Sequence, residues 1–354
     1  MGEPVTTSAP WPEILGRLLR RDELEPALVE SAMATILEGQ ASDAQIAGFA
    51  VALRAKGETA AELAALVRTM MRHASRVEVE AGAPLVDTCG TGGDRSGTVN
   101  VSTMAALVTS GAGVRVAKHG NRAASSHCGS ADVLEALGVV IDLGPDGVAR
   151  CIDEAGIGFC FAPRYHPGMR FAGPVRRELG APTTFNFLGP LANPAGVRHQ
   201  AMGVSDPAMA ERMVGALAEL GAERALVFYG HDGLDELTVT TTSTVLDLER
   251  GEVRRYDVDP ASLGFKPAER AALAGGDAAG NAQIAHQVLG GKHGPIRDIV
   301  VLNAAAALVA GGSAADLADG IEAAHASIDD GRAAAALDAF VRVSVAARET
   351  EPDA

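Results

Sequence analysis

Three short stretches of this chain carry residue types suited to phosphate and to divalent cations. The first runs from Asp87 to Thr103, DTCGTGGDRSGTVNVST. The apolar run Pro84-Leu85-Val86 before it reads as a buried strand, and Gly90, Gly92, Gly93 and Gly97 remove side chains where that strand ends. From Ser102 the pattern turns helical, with Met104, Leu107 and Val108 on one face. A glycine turn between strand and helix leaves backbone N–H groups unpaired beside the positive end of the helix dipole, which makes an anion site. A tight turn packed for its own sake is the ordinary alternative. Asp94, Asn100, Ser102 and Thr103 weigh against that alternative, because they bring oxygens and amides suited to ribose hydroxyls or a hydrated cation.

The second stretch, KHGNR (118–122), sets a cation, an imidazole, a glycine and an amide at the end of another predicted strand, Val114 to Ala117. Such a pentapeptide is most often a solvated turn. Beside the first loop it reads as an anion clamp, and SSHCGSAD (125–132) offers hydroxyls for a second anionic group. The third is Asp235-Glu236, an acidic pair in a glycine-flanked loop. Adjacent surface carboxylates usually mean solvation alone, but at the carboxyl end of a sheet they suit Mg2+, which takes one or two carboxylates plus water and phosphates. Neighbours on a strand point to opposite faces, which argues against a facing acid–base pair. His119, His127, His166, His199 and His231 lack metal-ligand spacing, so no zinc site is expected. Cys89, Cys128, Cys151 and Cys160 have no CxxC spacing and suggest no disulfide framework.

These residues need a scaffold, and the rhythm of the chain supplies one. Its 354 residues suffice for one large domain and a smaller one. Apolar residues make up 47% and aromatics only 4%, which favours closely packed helices with Ala, Val and Leu cores. The net charge of −15 disfavours nucleic acid or an anionic membrane as partner, without excluding a small anion in a locally basic cleft. No secretory signal is visible, and the longest apolar runs, such as Ile299 to Ala310, are too short to span a bilayer. A cytoplasmic location is the expectation.

Residues 1–10 read as a loose tail and 11–76 as helices. Ser42 with Gln45 and Thr59 with Glu62 are capping boxes, and Gly57 stops the helix between them. From residue 83 the order is strand, glycine loop, helix. Val139-Val140-Ile141 and Phe159-Cys160-Phe161 are further predicted strands, and Ser130 is the predicted cap of a helix over Ala131 to Leu137. That alternation predicts a mainly parallel sheet with ligands beyond the carboxyl ends of its strands. Residues 163–195, rich in proline, read as a connection returning to the helical domain. The sheet resumes near Met202-Gly203-Val204 and Ala225 to Tyr229, the stretch to Val258 suggests edge hairpin strands, and the remainder is helical.

Taken in order, GTGGD (90–94), NVST (100–103), KHGNRAASS (118–126), GSADVLEALG (129–138), NFLGPLANP (186–194) and DGLDELT (232–238) closely resemble the anthranilate phosphoribosyltransferases. The likeness runs from QIAGFAVALRAKGET (45–59) to the carboxyl-terminal helices. It implies an α/β fold: a small all-helical domain at 11–82, completed by roughly 165–195, and a larger α/β domain at 83–164 and 196–350 with a mainly parallel central sheet flanked by helices. It also implies an active site in the hinge cleft and a homodimer joined through the helical domains.

Carried over by position, Gly90, Gly93, Asp94, Thr98, Asn100, Val101, Ser102, Thr103, Lys118, His119, Gly120, Asn121, Arg122, Ala123, Ala124, Ser125, Ser126 and Ser130 would bind substrate, chiefly phosphoribosyl pyrophosphate. Ser102, Asp235 and Glu236 would ligate Mg2+, two ions per site. Arg176 would meet the anthranilate carboxylate, and Asn121, His166 and the Gly189-Pro190 turn would flank its ring. His127-Cys128 departs locally from the family pattern. A pyrimidine nucleoside phosphorylase, which shares the first loop, and a non-catalytic nucleic-acid-binding paralogue are the rivals. KHGNR, NFLGPLANP and the acidic balance weigh against them.

Overall fold

The computed structural model describes residues 9–80, 82–123 and 127–351. Four helices open the chain: α1 (Trp11–Leu19), α2 (Pro26–Leu37), α3 (Asp43–Lys56) and α4 (Ala60–Arg72). Both expected capping boxes form. Ser42 and Gln45 satisfy each other's backbone N–H at α3, and Thr59 and Glu62 do so at α4. Gly57 ends α3 with φ +91, a backbone angle that a side chain would strain.

The sheet order is β3-β2-β1-β4-β5-β6-β7. Its strands are β1 (Leu85–Gly90), β2 (Arg115–Gly120), β3 (Ile157–Phe161), β4 (His199–Gly203), β5 (Arg224–Gly230), β6 (Ser243–Glu249) and β7 (Glu252–Val258). The first five run parallel, and β6 and β7 add an antiparallel hairpin at one edge. Arg250 and Gly251, both at positive φ, make its tight turn. Chain order reverses between β1 and β4, the point beyond whose carboxyl ends sheets of this kind hold their ligands.

Between the strands run α5 (Val101–Gly111), α6 (Ser130–Ala136), α7 (Pro145–Ala155), α8 (Ala162–Tyr165), α9 (Gly173–Leu179), α10 (Phe185–Leu188) and α11 (Pro207–Glu219). After β7 come α12 (Ala278–Leu289), α13 (Pro295–Ala310), α14 (Leu317–Asp329) and α15 (Arg332–Thr350). Successive strand residues enter opposite cores, as a period of two requires. Ala201, Leu226 and Val245 pack with α5, α13 and α15, whereas Met202, Val227 and Leu246 pack with α11 and the amino-terminal helices. Val175, Phe185, Phe187, Leu188 and Leu191 share the second core with α1 to α4. The proline-rich connection therefore packs on the helical side. Among the described residues no helix is long and apolar enough to cross a membrane.

Three local expectations change. Val139-Val140-Ile141 is not a strand but an extended link between α6 and α7. Its apolar side chains are buried, yet the Val140 N–H is satisfied by Ser344 Oγ of α15 at 3.0 Å rather than by a neighbouring strand. Lys118, His119 and Gly120 lie inside β2 and not past its end. The cap of α6 is Gly129, with Ser130 the first helical residue, because Asp132 closes the cap by accepting the Gly129 N–H at 2.8 Å. Most of the predicted tail (1–8) and three residues of the second loop, Ala124, Ser125 and Ser126, lie outside the described residues.

Candidate active site

Two glycines at strand ends make room for the acidic pair. A Cβ on Gly90 would stand 2.5 Å from Asp235 Oδ2, and one on Gly203 would stand 1.6 Å from the Asp235 carbonyl. The Gly92 N–H, freed by a turn at φ +64, donates to Asp235 Oδ2 at 2.7 Å. Asn303 of α13 grips the next residue, accepting the Leu237 N–H at 3.0 Å and donating to its carbonyl at 2.8 Å. In the sequence Asn303 only interrupts an apolar run, and no local signal reveals that it holds the acidic loop.

Lys118 reaches through the core to the same place. It is 2% exposed, and its Nζ donates to the Thr88 carbonyl at 2.5 Å and to Ser102 Oγ at 3.3 Å. Burial pulls its pKa down, while Asp87 and Glu236 pull it up. Burial pushes Asp235 up to about 7, helped by the charge of Asp94. Glu236 goes well above its usual range from burial and the neighbouring Asp235, despite Lys118 and a hydrogen bond from the Ser102 backbone. Carboxylates that resist ionisation because they are dry and crowded gain from a divalent cation. The set Asp235, Glu236 and Ser102 therefore fits Mg2+ supplemented by phosphate oxygens. Among the described residues no three His, Cys, Asp or Glu side chains form a closed metal site.

The glycine loop is tied down around this centre. Ser205 Oγ donates to the Gly92 carbonyl at 2.8 Å, Asp94 accepts the Ser96 N–H, and Thr98 bridges Ala274. Asn100 does not cap α5 with its side chain; it donates to the Cys128 carbonyl at 3.1 Å and accepts from Asn281 at 2.9 Å. Val101 and Thr103 are buried behind the loop. Gly93 sits at φ +84. On the second loop, Asn121 accepts the Arg122 N–H and, through its carbonyl, the Ser130 hydroxyl. The Arg122 guanidinium turns to Asp132 and Glu135, and Asp132 also accepts the Ala123 N–H. These contacts leave Arg122 no unengaged charge for an anion.

The opposite wall is built from neutral groups. His119 and His166 meet edge to face at 5.2 Å. His119 Nδ1 bonds the Gly189 carbonyl at 2.9 Å, and His166 Nε2 bonds the Ala192 carbonyl at 2.8 Å. Carbonyls only accept, so each ring carries its proton there. Burial lowers the pKa of His119 to about 3 and of His166 to about 4. Asn193 pins this wall to the sheet, donating to Asp87 Oδ2 and to the Ala117 carbonyl, both at 2.8 Å. Burial pushes that Asp87 up to about 6. The Pro190 carbonyl accepts from Gln200 at 2.8 Å. Arg176, in the last turn of α9, is half-buried, and its guanidinium has no hydrogen-bond or ion-pair partner among the described residues. Desolvation lowers its pKa.

The chain matches two family models that together cover most of its length. Residues 12–74 match the helical bundle domain of a glycosyl transferase family, and residues 82–334 match the α/β domain of that family. It is 54% identical over 345 residues to an anthranilate phosphoribosyltransferase of Salinispora arenicola, covering 96% of this chain and 98% of that protein. Its fold is similar to that of the Thermus thermophilus anthranilate phosphoribosyltransferase, with a TM-score of 0.89 and 41% identity over 94% of this chain and 99% of that one. The Saccharomyces cerevisiae enzyme, solved in complex with PRPP and Mg, aligns with a TM-score of 0.88 and 28% identity over 96% of this chain and 99% of that one.

Proposed function

The chain belongs to the glycosyl transferase family of the anthranilate phosphoribosyltransferases, and from that premise we propose how its cleft performs the family reaction. It transfers the phosphoribosyl group of 5-phosphoribosyl 1-pyrophosphate (PRPP) to the amine of anthranilate, a step of tryptophan biosynthesis that releases pyrophosphate. The observation that carries the residue roles is a contrast in charge: crowded carboxylates under a glycine loop, against an unpaired guanidinium and two neutral histidines. We assign the two sets to opposite sides of the cleft.

In this reading Gly90 and Gly93, with Asp94, Thr98, Asn100, Val101, Ser102 and Thr103, hold PRPP. Lys118, Gly120, Asn121, Ala123 and Ser130 complete that side. The second-loop positions Ala124, Ser125 and Ser126, outside the described residues, belong to it by resemblance alone. Asp235, Glu236 and Ser102 hold Mg2+, with two ions at saturation. Bound Mg2+ offsets the charge that builds on pyrophosphate as it leaves. Lys118 adds a fixed positive charge from the protein, at no cost in reorganisation because Thr88 and Ser102 already hold it.

Arg176 takes the anthranilate carboxylate, and Asn121, His166 and the Gly189-Pro190 turn flank the ring. The aromatic amine brings its own lone pair, so no strong base is needed to make the nucleophile. The ribosyl carbon develops oxocarbenium character. Positioning and water exclusion on closure of the cleft then supply most of the acceleration. The two domains are residues 11–82 completed by roughly 165–195, and 83–164 with 196–350. A cytoplasmic homodimer joined through the helical domains fits this division.

The decisive experiment follows anthranilate fluorescence with purified protein, PRPP and Mg2+, with and without a chelator. Loss that needs all three components supports the reading. A folded protein that leaves anthranilate untouched, but cleaves pyrimidine nucleosides with phosphate, would replace it with the phosphorylase.

A further inference from the structure

The segment KGET (56–59) belongs to no part of the site described above, yet it holds a dense group of buried charges. Lys56 and Glu62 form a buried pair at 2.8 Å within the helical side. Glu58 points the other way. Its side chain is fully buried and joins three separate elements. Oε2 accepts from Arg54 of α3 at 3.3 Å and from Arg212 of α11 at 3.1 Å. Oε1 accepts the hydroxyl of Thr184, the residue immediately before α10.

Arg54 extends the group. Its guanidinium also pairs with Asp206, the cap of α11, and lies 5.0 Å from the Phe187 ring of α10. Gly57 gives Arg212 its room, since a Cβ there would stand 3.0 Å from the guanidinium. A buried carboxylate accepting from two guanidiniums and a hydroxyl has its charge answered and its position fixed.

Thr184 heads the short run that ends in the Gly189-Pro190 turn, whose carbonyls accept from His119 and Gln200. The run is therefore anchored at both ends. Its far end is held by the sheet, and its near end is held by Glu58. The glycine loop is held through Asp235 and Ser205, neither of which bonds Glu58 or Thr184. Resting on the functional reading above, we propose that Glu58 is a positioning residue for the anthranilate half of the site. Acting through Thr184, it sets where the Gly189-Pro190 turn meets the aromatic ring.

The test compares Thr184→Val, which keeps the shape and removes the hydroxyl, with Thr184→Ser, which keeps the hydroxyl. Full steady-state kinetics in both substrates and a thermal melt are taken for each. Thr184→Val is expected to raise the anthranilate KM about tenfold, with the PRPP KM and kcat within about twofold, because only binding of the ring is loosened. Thr184→Ser is expected to restore the wild-type KM. Glu58→Gln is read in the same way, and serves alone if Thr184→Val does not fold.

An unchanged anthranilate KM in the folded variant overturns the proposal. So does a KM for PRPP that rises in parallel, or a serine variant as impaired as the valine. A wild type that leaves anthranilate untouched overturns the functional reading, and this proposal with it. An active wild type with unmoved variants overturns this proposal alone.

Discussion

At the carboxyl end of β1, Glu236 is crowded by Asp235 and Asp94 and answered by one buried ammonium, Lys118, which also answers Asp87. Elsewhere, His119 and His166 are held neutral, and Arg176 has no counter-ion among the described residues. Each side is out of electrostatic balance, and in opposite senses. The acidic side resists ionisation until a cation arrives. The basic group on the other side is desolvated and lacks a carboxylate. Imbalance that a folded protein tolerates at two places is explained by ligands of opposite charge, since isolated buried charge is costly.

Removing the acidic side should have the largest effect. Asp235→Asn combined with Glu236→Gln should cut Mg2+-dependent turnover by about a thousandfold or more, as expected when charge-stabilising groups are lost from a dry site. Turnover would be followed by anthranilate fluorescence across a Mg2+ titration. A double variant with wild-type turnover would remove these residues from the metal site, and the contrast between the two sides would lose its meaning.

The basic side should answer differently. Arg176→Ala should raise the anthranilate KM by roughly 10- to 100-fold, the range for losing a charge-assisted contact, and leave the PRPP KM nearly alone. Arg176→Lys should recover only part, since lysine cannot offer a planar fork. Equal loss toward both substrates would place Arg176 in general scaffolding.

A third substitution separates the acidic loop's charge from its support. Asn303→Leu removes both hydrogen bonds to Leu237 and leaves two buried backbone groups unpaired, at a cost of about 2–4 kcal/mol. The urea midpoint should fall, and the Mg2+ concentration for half-maximal rate should rise. A variant with a lower midpoint but an unaltered Mg2+ requirement would show that the loop keeps its place without Asn303.

These residues also mark how far the sequence could be read. Glycine runs, capping boxes and an acidic pair are local, and each states its own geometry, which is why the glycine loop after β1, α3, α4 and the edge hairpin were legible. The supports are not local. Asn303 meets a partner 66 residues away, Asn193 one 106 away and Asn281 one 181 away. A lone amide gives no sign of such a partner. Val139 to Ile141 had the composition of a strand, but its backbone bonds were settled by Ser344 of a distant helix. KHGNR reads as an anion clamp past the end of a strand, whereas Lys118, His119 and Gly120 lie within β2. Only the packed sheet shows that the lysine and histidine side chains point into the protein.

The neutral state of the histidine wall yields the smallest effect and the most specific one. His166 in the folded protein titrates at about 4, against 6.5 for the free side chain. Between those values the unfolded chain binds a proton that the folded one refuses. Stability contributed by the neutral ring is thus fully present above about pH 6.5 and is lost as pH falls towards 4. Each such histidine adds up to about 1.4 kcal/mol per pH unit to the slope in that window. Asp87, pushed up to about 6, works the other way, so the wild-type slope is a balance and not a sum. The clean quantity is the difference between wild type and His166→Gln. Urea unfolding at pH 5.0 and 6.0 should show the variant losing less stability on acidification, by about 1 kcal/mol. Parallel pH dependences in the two proteins would mean that His166 is protonated in the folded state, and that the wall facing the acidic site is itself charged.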